Sequence, residues 1–244
     1  MSGKYLKHKA QETMDGDGAR VKRLFPVAGK RHHDPFVLLD EFFVDSSAGF
    51  PTHPHRGFEG ITYMMEGQLR HQDNLGNDTT VKDGGIQRFT AGKGMEHSEM
   101  PQGEGLSHGF QLWVNLPKRL KSIEPDYQQV NKNEIPEKTS DGVMVRTIVG
   151  DGSPVEIKTA IRYLDVQLSE GKNFDVNVTD FDHGIVYVSA GSLSFESEKL
   201  CAGEALLLEK GDKVNLEAES QCRFIVLLGE AHGEPIIQHG PFVD

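Results

Sequence analysis

An internal repeat is the feature of this sequence that most constrains its fold. The segment FEGITYMMEGQLRH (58–71) aligns with DHGIVYVSAGSLSF (182–195) at an offset of 124, with five identities in fourteen positions. Further along, DGGIQRFTAGKG (83–94) aligns with AGEALLLEKGDK (202–213) at an offset of 119. Similarity at a fixed offset indicates two copies of one structural unit. The change of offset predicts a loop that is five residues shorter in the second copy.

The apolar segments predict that both copies are β-domains. Short runs of Val, Ile, Leu and Phe are bounded by turn residues, among 27 glycines and 11 prolines, whereas sustained helical periodicity is scarce. The count of strand-length segments in each half suits a small barrel or double-sheet jelly roll. The polar segment 115–142 contains three prolines and is typical of an interdomain connection. We therefore predict an N-terminal domain over 1–130 and a C-terminal domain over 131–244.

Charge and cysteine content narrow the class of protein. The 244-residue chain has a formal net charge of −11, and its Lys and Arg residues are scattered, which argues against direct binding to nucleic acid. Two cysteines are too few for a disulfide framework in a chain of this size. The sequence shows neither a secretory signal nor an apolar stretch of membrane-spanning length. We expect a soluble, cytoplasmic protein with no membrane contact, and a monomer.

Two histidines one residue apart form the first candidate for a metal site. His53 and His55 lie just before a probable strand, in PTHPHRGFEG. In extended chain, side chains at i and i+2 share a face, so both imidazoles can reach one point. Taken alone, the pair has two ordinary alternatives, which are surface histidines and a turn fixed by Pro54.

A second pair with the same spacing strengthens the metal interpretation. His97 and Glu99 lie in MEHSEM, on the strand that follows a glycine turn in the first copy. If a barrel brings this strand beside His53 and His55, three imidazoles and one carboxylate enter a single cavity. Two such pairs, each beside a strand, are a more specific signal than either pair alone.

The second copy lacks every one of these candidate ligands. At the local offsets of 124 and 119, the corresponding residues are Asn177, Thr179, Leu216 and Ala218. Residues needed only for packing should persist at some of these positions. We therefore expect one functional centre, in the first domain, and a structural second domain.

The donor set restricts the metal. Three nitrogens and one oxygen without a thiolate suit Fe(II), Mn(II), Ni(II) or Cu(II), whereas a closed structural zinc site more often uses Cys. On an octahedral ion, four protein ligands leave two positions for water, substrate or dioxygen. Such a centre is open to chemistry.

Five segments resemble the signatures of the pirins, members of the cupin superfamily. They are HHDPFVLLDEF (32–42), PTHPHRGFEGITYMMEG (51–67), TAGKGMEHSEMP (90–101), SHGFQLWVNLP (107–117) and EPIIQHGPFV (234–243). The resemblance implies an all-β fold of two tandem antiparallel cupin (jelly-roll type) β-barrel domains. It also implies a single metal, with iron the first choice, held in the N-terminal domain at His53, His55, His97 and Glu99.

The same resemblance implies a reaction. Several pirins are similar in activity to quercetin 2,3-dioxygenase, which opens the central ring of a flavonol with O2 and releases CO. Glu99 is then the natural acceptor for the proton of the 3-hydroxyl group, although a role as ligand alone stays open. Gln111 and Trp113 alternate on one strand, so Gln111 is a candidate for substrate contact and Trp113 for a pocket wall or ordinary core packing.

Other functions and residues remain as alternatives. Pirins also resemble transcriptional co-regulators that act through proteins, which suggests an iron-binding, redox-responsive regulator with protein partners and no turnover. A metal-dependent isomerase has no sequence feature in its favour. We interpret six other histidines as exposed or hydrogen-bonded structural residues: His32, His33, His71, His108, His232 and His239.

Overall fold

The computed structural model describes residues 5–244, which form twenty-four β-strands and two single-turn 3-10 helices. No helix in that range is long and apolar enough to span a membrane. The strands up to residue 130 are β1 (Leu6–Lys9), β2 (Gln11–Asp15), β3 (Ala19–Phe25), β4 (Phe36–Val44), β5 (Phe50–His55), β6 (Phe58–Glu66), β7 (Gln68–Asp73), β8 (Asp78–Lys82), β9 (Ile86–Thr90), β10 (Met95–Pro101), β11 (Ser107–Asn115) and β12 (Asp126–Val130).

The later strands begin after the two 3-10 helices, Lys118–Leu120 and Lys132–Glu134. They are β13 (Glu137–Ser140), β14 (Val143–Val149), β15 (Ile161–Leu168), β16 (Asn173–Asn177), β17 (His183–Ala190), β18 (Ser192–Phe195), β19 (Glu198–Cys201), β20 (Glu204–Glu209), β21 (Lys213–Ala218), β22 (Cys222–Gly229), β23 (Gln238–His239) and β24 (Phe242–Val243).

The chain separates into two compact units that exchange their ends. The N-unit comprises residues 11–134, 155–159 and 232–244, and the C-unit comprises 5–10, 135–154 and 160–231. The predicted division at residue 130 remains a prediction, and the first unit ends its main segment near it, at Glu134. The sequence division did not include the exchange, in which strand β1 joins the C-unit and the C-terminal segment joins the N-unit.

The two units have the same strand order, which confirms the all-β cupin fold. The N-unit contains a seven-stranded sheet, β12-β9-β6-β11-β4-β3-β2, and a four-stranded sheet, β5-β10-β7-β8. The C-unit contains the sheets β1-β20-β17-β22-β15-β14-β13 and β16-β21-β18-β19. These strands pair antiparallel, and each strand of one unit has a counterpart in the other. Strand β1 takes in the C-unit the place that β12 takes in the N-unit.

The repeated glycines occupy a turn that only glycine fits. Gly67 connects β6 to β7, and Gly191 connects β17 to β18, with φ angles of 75° and 73°. A Cβ atom would lie 2.5 Å from the carbonyl oxygen of Leu106 at the first position and 2.4 Å from that of Gln221 at the second. Both the left-handed backbone and the close approach exclude a side chain.

The five-residue difference in length between the copies lies in one hairpin. Residues 68–82 form β7, its turn and β8, whereas residues 192–201 form β18, its turn and β19. The first hairpin therefore has five more residues, in agreement with the change of offset.

The strand pairing corrects two positions in the sequence comparison. His53 lies opposite His97 in the N-unit, and Phe174 lies opposite Leu216 in the C-unit. The counterpart of His53 is therefore Phe174 and not Asn177. By the same register, the counterpart of His55 is Val176 and not Thr179. The offset of 124 fails here because residues 178–182 separate β16 from β17, whereas residues 56 and 57 separate β5 from β6.

The C-unit fills these positions with apolar side chains. Val176, Leu216 and Ala218 belong to its buried core, and Phe174 packs against that core. Among the described residues of the two units, only the N-unit places histidines there. Apolar packing of this kind stabilises a domain, and no ligand set is present at these positions.

The turn at Gly191 provides a test of this account. We expect Gly211→Ala to cost about 1 kcal/mol of stability, because Gly211 is left-handed but has open space for a Cβ atom. Gly191→Ala should cost roughly 1–3 kcal/mol more, because its Cβ would meet backbone atoms. Thermal unfolding of both variants measures the difference, and equal midpoints would contradict the steric explanation.

Candidate metal centre

The N-unit positions the candidate ligands through its four-stranded sheet. Strand β10 pairs with β5 on one side and with β7 on the other. His97 of β10 lies opposite His53 of β5, and Met95 lies opposite His55. The i, i+2 spacing therefore puts both β5 histidines on the face that carries His97, as the strand period requires.

Three histidines form a cluster that could hold a metal. One ring nitrogen from each of His53, His55 and His97 lies within 4.8 Å of the other two. The ring centroids of His53 and His55 are 4.6 Å and 4.9 Å from that of His97. His55 and His97 are buried, and His53 is half-buried. The structure therefore brings together three of the four residues of the two sequence pairs.

Hydrogen bonds orient two of the imidazoles through Nδ1. The Nδ1 atom of His53 lies 2.7 Å from the carbonyl oxygen of Pro51, and that of His55 lies 3.4 Å from the carbonyl oxygen of Pro241. A carbonyl oxygen only accepts, so each ring donates from Nδ1 and keeps a lone pair on Nε2. Neutral histidines held in this way are ready to bind a metal.

His97 carries the clearest indication that a ligand belongs at the centre. Its Nε2 atom is buried and has no hydrogen-bond partner among residues 5–244. Buried polar atoms are nearly always paired. A buried ring nitrogen without a partner, in a cluster of three imidazoles, can be satisfied by a metal cation, so the three side chains fit the group that the sequence predicts.

Glu99 lies in the wall of the same cavity but outside the group of three ring nitrogens. Its Oε1 atom accepts a hydrogen bond of 2.8 Å from the Thr62 hydroxyl and another from the Gln87 side-chain amide. The register with β5 shifts at this point, because Glu99 lies opposite Phe50 and one extra residue of β5 falls between the two pairs, whereas β10 pairs regularly with β7 from His97 to Pro101. Its place as the fourth ligand therefore remains a prediction.

A cavity of about 730 Å³ opens onto this centre. His53, His55, Glu99, Gln111 and Trp113 are among the residues that line it. Cavities of this volume take drug-sized organic molecules. Apolar side chains form much of the remaining wall, and they are Val21, Leu38, Phe42, Phe50 and Leu69.

The C-terminal segment covers one side of the cavity. Gln238, Gly240 and Pro241 contribute to its wall. The segment is fixed beyond them, because the Val243 amide donates to the carbonyl oxygen of Arg56 at 3.0 Å. Lys121 Nζ donates to the Val243 carbonyl oxygen at 2.9 Å. The C-terminal segment is thus part of the cavity wall, a long-range contact that no local sequence pattern predicts.

Burial favours the neutral form of two of the three histidines, His55 and His97, in the metal-free protein. Burial, assisted by the nearby His53, lowers the pKa of His55 to about 3. Burial and the neighbouring histidines hold the pKa of His97 well below its ordinary value. Protons therefore compete weakly with a metal for these nitrogens.

The sequence predicted only an exposed or hydrogen-bonded structural role for His71. The structure places it fully buried beside His97, with 3.3 Å between the two Nδ1 atoms. Its Nε2 atom lies 2.9 Å from Asp73 Oδ2. The available signal was that His71 and Asp73 repeat the i, i+2 spacing of the other two pairs. Of the two roles predicted for His71, the hydrogen-bonded structural role fits its contact with Asp73.

The depressed pKa values predict how acid affects the metal-free protein. A histidine whose pKa falls from about 6.5 to about 3 on folding stabilises the fold fully above pH 6.5. This contribution is lost as pH falls toward 3, by up to about 1.4 kcal/mol per pH unit. We expect unfolding free energies of apo His55→Phe to fall less between pH 7 and 5 than those of the apo wild type. Identical slopes would contradict burial as the cause.

Comparison with known proteins agrees with the fold. The Pirin family model matches residues 18–114, and the model of the Pirin C-terminal cupin domain matches residues 163–244. A pirin-like protein of Caulobacter vibrioides is 42% identical over 250 residues, which cover 96% of this chain and 90% of the relative.

Solved structures of other proteins have a similar fold. A quercetin 2,3-dioxygenase from Acinetobacter baumannii has a TM-score of 0.90 at 31% identity, with 98% of this chain and 91% of that chain covered. The bacterial pirin YhhW from Escherichia coli, solved in complex with nickel(II), has a TM-score of 0.76 at 20% identity, with 93% and 100% covered, and supports the fold alone. The family models cover most of the chain, and it belongs to the pirin family.

Proposed function

We propose that this protein is a metal-dependent dioxygenase that opens flavonols such as quercetin with O2 and releases CO. The observation that carries the proposal is the cavity of about 730 Å³, which reaches two histidines of the cluster together with Glu99 and Gln111. A similar fold in a quercetin 2,3-dioxygenase at 31% identity supports the same reaction class.

The proposed centre holds one divalent transition metal at His53, His55, His97 and Glu99. Nitrogen-rich ligation with one carboxylate favours Fe(II) first, with Mn(II), Ni(II) and Cu(II) as alternatives and Zn(II) less suited. When bound, the metal supplies positive charge that acidifies a coordinated hydroxyl group and a common point for substrate and O2. The remaining contributions come from side chains of the N-unit.

Glu99 is the proposed proton acceptor for the flavonol 3-hydroxyl group. Both of its contacts, from Thr62 and Gln87, go to Oε1. Oε2 is therefore the oxygen available to a metal or to a substrate proton. The two donors hold the carboxylate in one orientation, which is what a general base at the cavity wall requires.

Gln111 is the proposed contact for substrate polar groups. It is half-buried in the cavity wall, and its side-chain oxygen lies 2.6 Å from the Thr62 hydroxyl. Thr62 has a single proton, so it donates either to Glu99 or to Gln111 at any moment. A substrate that engages Gln111 thereby affects the hydrogen bonding of Glu99.

The cavity walls suit a planar aromatic substrate. Trp113 stacks on Phe58 at a centroid distance of 4.1 Å, and its ring meets that of His55 at 4.9 Å. Aromatic and aliphatic walls beside the centre exclude water from the reacting ring. A redox-responsive regulator needs the metal but no substrate-sized cavity, so the cavity favours turnover over that alternative.

Turnover by the anaerobically reconstituted Fe(II) protein tests the proposal. We expect O2 consumption and CO release with quercetin, and we expect His97→Ala to abolish both because it removes a metal ligand. A wild-type protein that binds iron but neither consumes O2 nor releases CO would contradict the enzymatic function.

Glu99→Gln separates the proton acceptor from the ligand. If Glu99 takes the proton, we expect turnover to fall about 100-fold or more while bound metal changes little. Loss of metal together with turnover would assign Glu99 to ligation alone. The matched control is Glu96→Gln, because Glu96 is exposed on the same strand, and it should change neither quantity.

Substitution of Gln111 tests substrate contact. We expect Gln111→Leu to raise KM for quercetin about 10-fold, the effect of losing one hydrogen bond of about 1.4 kcal/mol, with unchanged metal content. Gln102→Leu, at an exposed position outside the cavity, is the control. An unchanged KM for Gln111→Leu would exclude the contact.

A further inference from the structure

Three side chains joined by hydrogen bonds connect the histidine cluster to the β7–β8 hairpin. His71 and Asp73 lie on β7, with Asp73 opposite His97 and His71 opposite Glu99. The Nδ1 atoms of His71 and His97 are 3.3 Å apart, and His71 Nε2 is 2.9 Å from Asp73 Oδ2. The side chains of both His71 and Asp73 are fully buried.

The Asp73 carboxylate fixes the direction of the hydrogen bonds among these three side chains. Asp73 only accepts, so His71 donates to it from Nε2 and, when neutral, has its lone pair on Nδ1. His97 must then donate from Nδ1 to His71, which places the lone pair of His97 on Nε2. That nitrogen is the buried atom without a partner among the described residues.

The hairpin turn holds the Asp73 carboxylate in place. Its Oδ1 atom accepts from the backbone amides of Leu75 and Asn77 at 2.9 and 3.0 Å. Its Oδ2 atom accepts from the Asn77 side chain at 2.8 Å as well as from His71. With Oδ1 committed to the turn, Oδ2 alone faces His71.

Packing holds the His71 ring. It stacks on Tyr127 with a centroid distance of 4.2 Å and an angle of 19°. The Tyr127 hydroxyl is in turn 2.7 Å from the Thr79 hydroxyl on β8. The ring therefore has little freedom to turn away from His97.

The repeat provides an independent comparison. The β7–β8 hairpin is the segment with five extra residues, and β7 extends far enough to bring His71 and Asp73 beside β10. In the C-unit, the shorter β18 pairs with β21 only through Leu193 and Ser194. The longer hairpin and the histidine cluster thus occur in the same unit.

We propose that His71 and Asp73 are positioning residues, which hold the ring proton of His97 on Nδ1 and so present the Nε2 lone pair to the metal. The inference rests on the proposed metal centre. Ligand histidines commonly donate their second N–H to a carbonyl or a carboxylate, and removal of such a partner weakens metal binding about 10- to 100-fold. Here the Asp73 carboxylate acts on His97 through the imidazole of His71.

Asp73→Asn tests the direction of the hydrogen bonds with little change of shape. The Asn oxygen can keep the turn contacts of Oδ1, and its amide then donates to His71 Nε2, while the Asn77 side-chain amide, which donates to Oδ2 in the wild type, turns over to present its oxygen. His71 must donate from Nδ1 to His97, which forces the His97 proton onto Nε2. We expect Ni(II) affinity, measured by titration, to fall about 10- to 100-fold.

Two further measurements make this test specific. Nitrogen-15 NMR of the metal-free proteins should show His97 protonated on Nδ1 in the wild type and on Nε2 in Asp73→Asn. Asp78→Asn is the matched control, since it removes a carboxylate from the same hairpin whose ion-pair partner is the exposed Arg70. It should leave both the affinity and the His97 tautomer unchanged.

The possible outcomes distinguish this inference from the proposed function. Equal Ni(II) affinity of Asp73→Asn and wild type, or an unchanged His97 tautomer, would overturn the positioning role. If the wild type binds no metal, the metal centre itself fails, while the NMR result still reports on the hydrogen bonds. If Asp73→Asn does not fold, His71→Phe decides in its place, because it keeps an aromatic ring against Tyr127 and should weaken Ni(II) binding and release His97 from a single tautomer.

Discussion

The pairing of β10 between β5 and β7 is the constraint on which the candidate centre depends. It places His97 opposite both His53 and Asp73, so one strand meets the other histidines on one side and the Asp73–His71 pair on the other. A register shift by one residue would turn the His97 side chain to the opposite face of the sheet. The geometry of the site is therefore set by backbone hydrogen bonds before any ligand binds.

The two units show what this centre costs and how the chain accommodates it. In the C-unit the corresponding positions are apolar and buried in a continuous core, whereas the N-unit buries His55, His97 and Glu99 beside a cavity. Buried polar groups cost free energy unless they are paired. The N-unit offsets much of this cost with hydrogen bonds from Thr62 and Gln87 to Glu99 and with carbonyl or imidazole partners for the histidines. One fold is thus used as a site in one copy and as a packed core in the other.

The repeat and the i, i+2 pairs could be predicted from sequence because both depend on local periodicity. The repeat, the glycine turns and the short apolar segments indicated two similar β-domains, the resemblance to the pirins implied the cupin fold, and the strand period put His53 and His55 on one face. Other features depend on long-range register. The sequence could not show that the connection before β17 is longer, so that Phe174 lies opposite Leu216. It also could not show that His71 lies beside His97 or that Pro241 reaches His55. Nor could local spacing reveal that Glu99 lies in the cavity wall outside the group of three ring nitrogens.

The most direct test of the central claim is a crystal structure of the metal-loaded protein, with anomalous diffraction recorded at the absorption edge of the metal. The account predicts one peak, about 2.0–2.2 Å from the Nε2 atoms of His53, His55 and His97, with a Glu99 oxygen as the fourth protein ligand and no peak in the C-unit. Coordination through Nδ1 of any of these histidines, or a metal bound elsewhere in the chain, would contradict it.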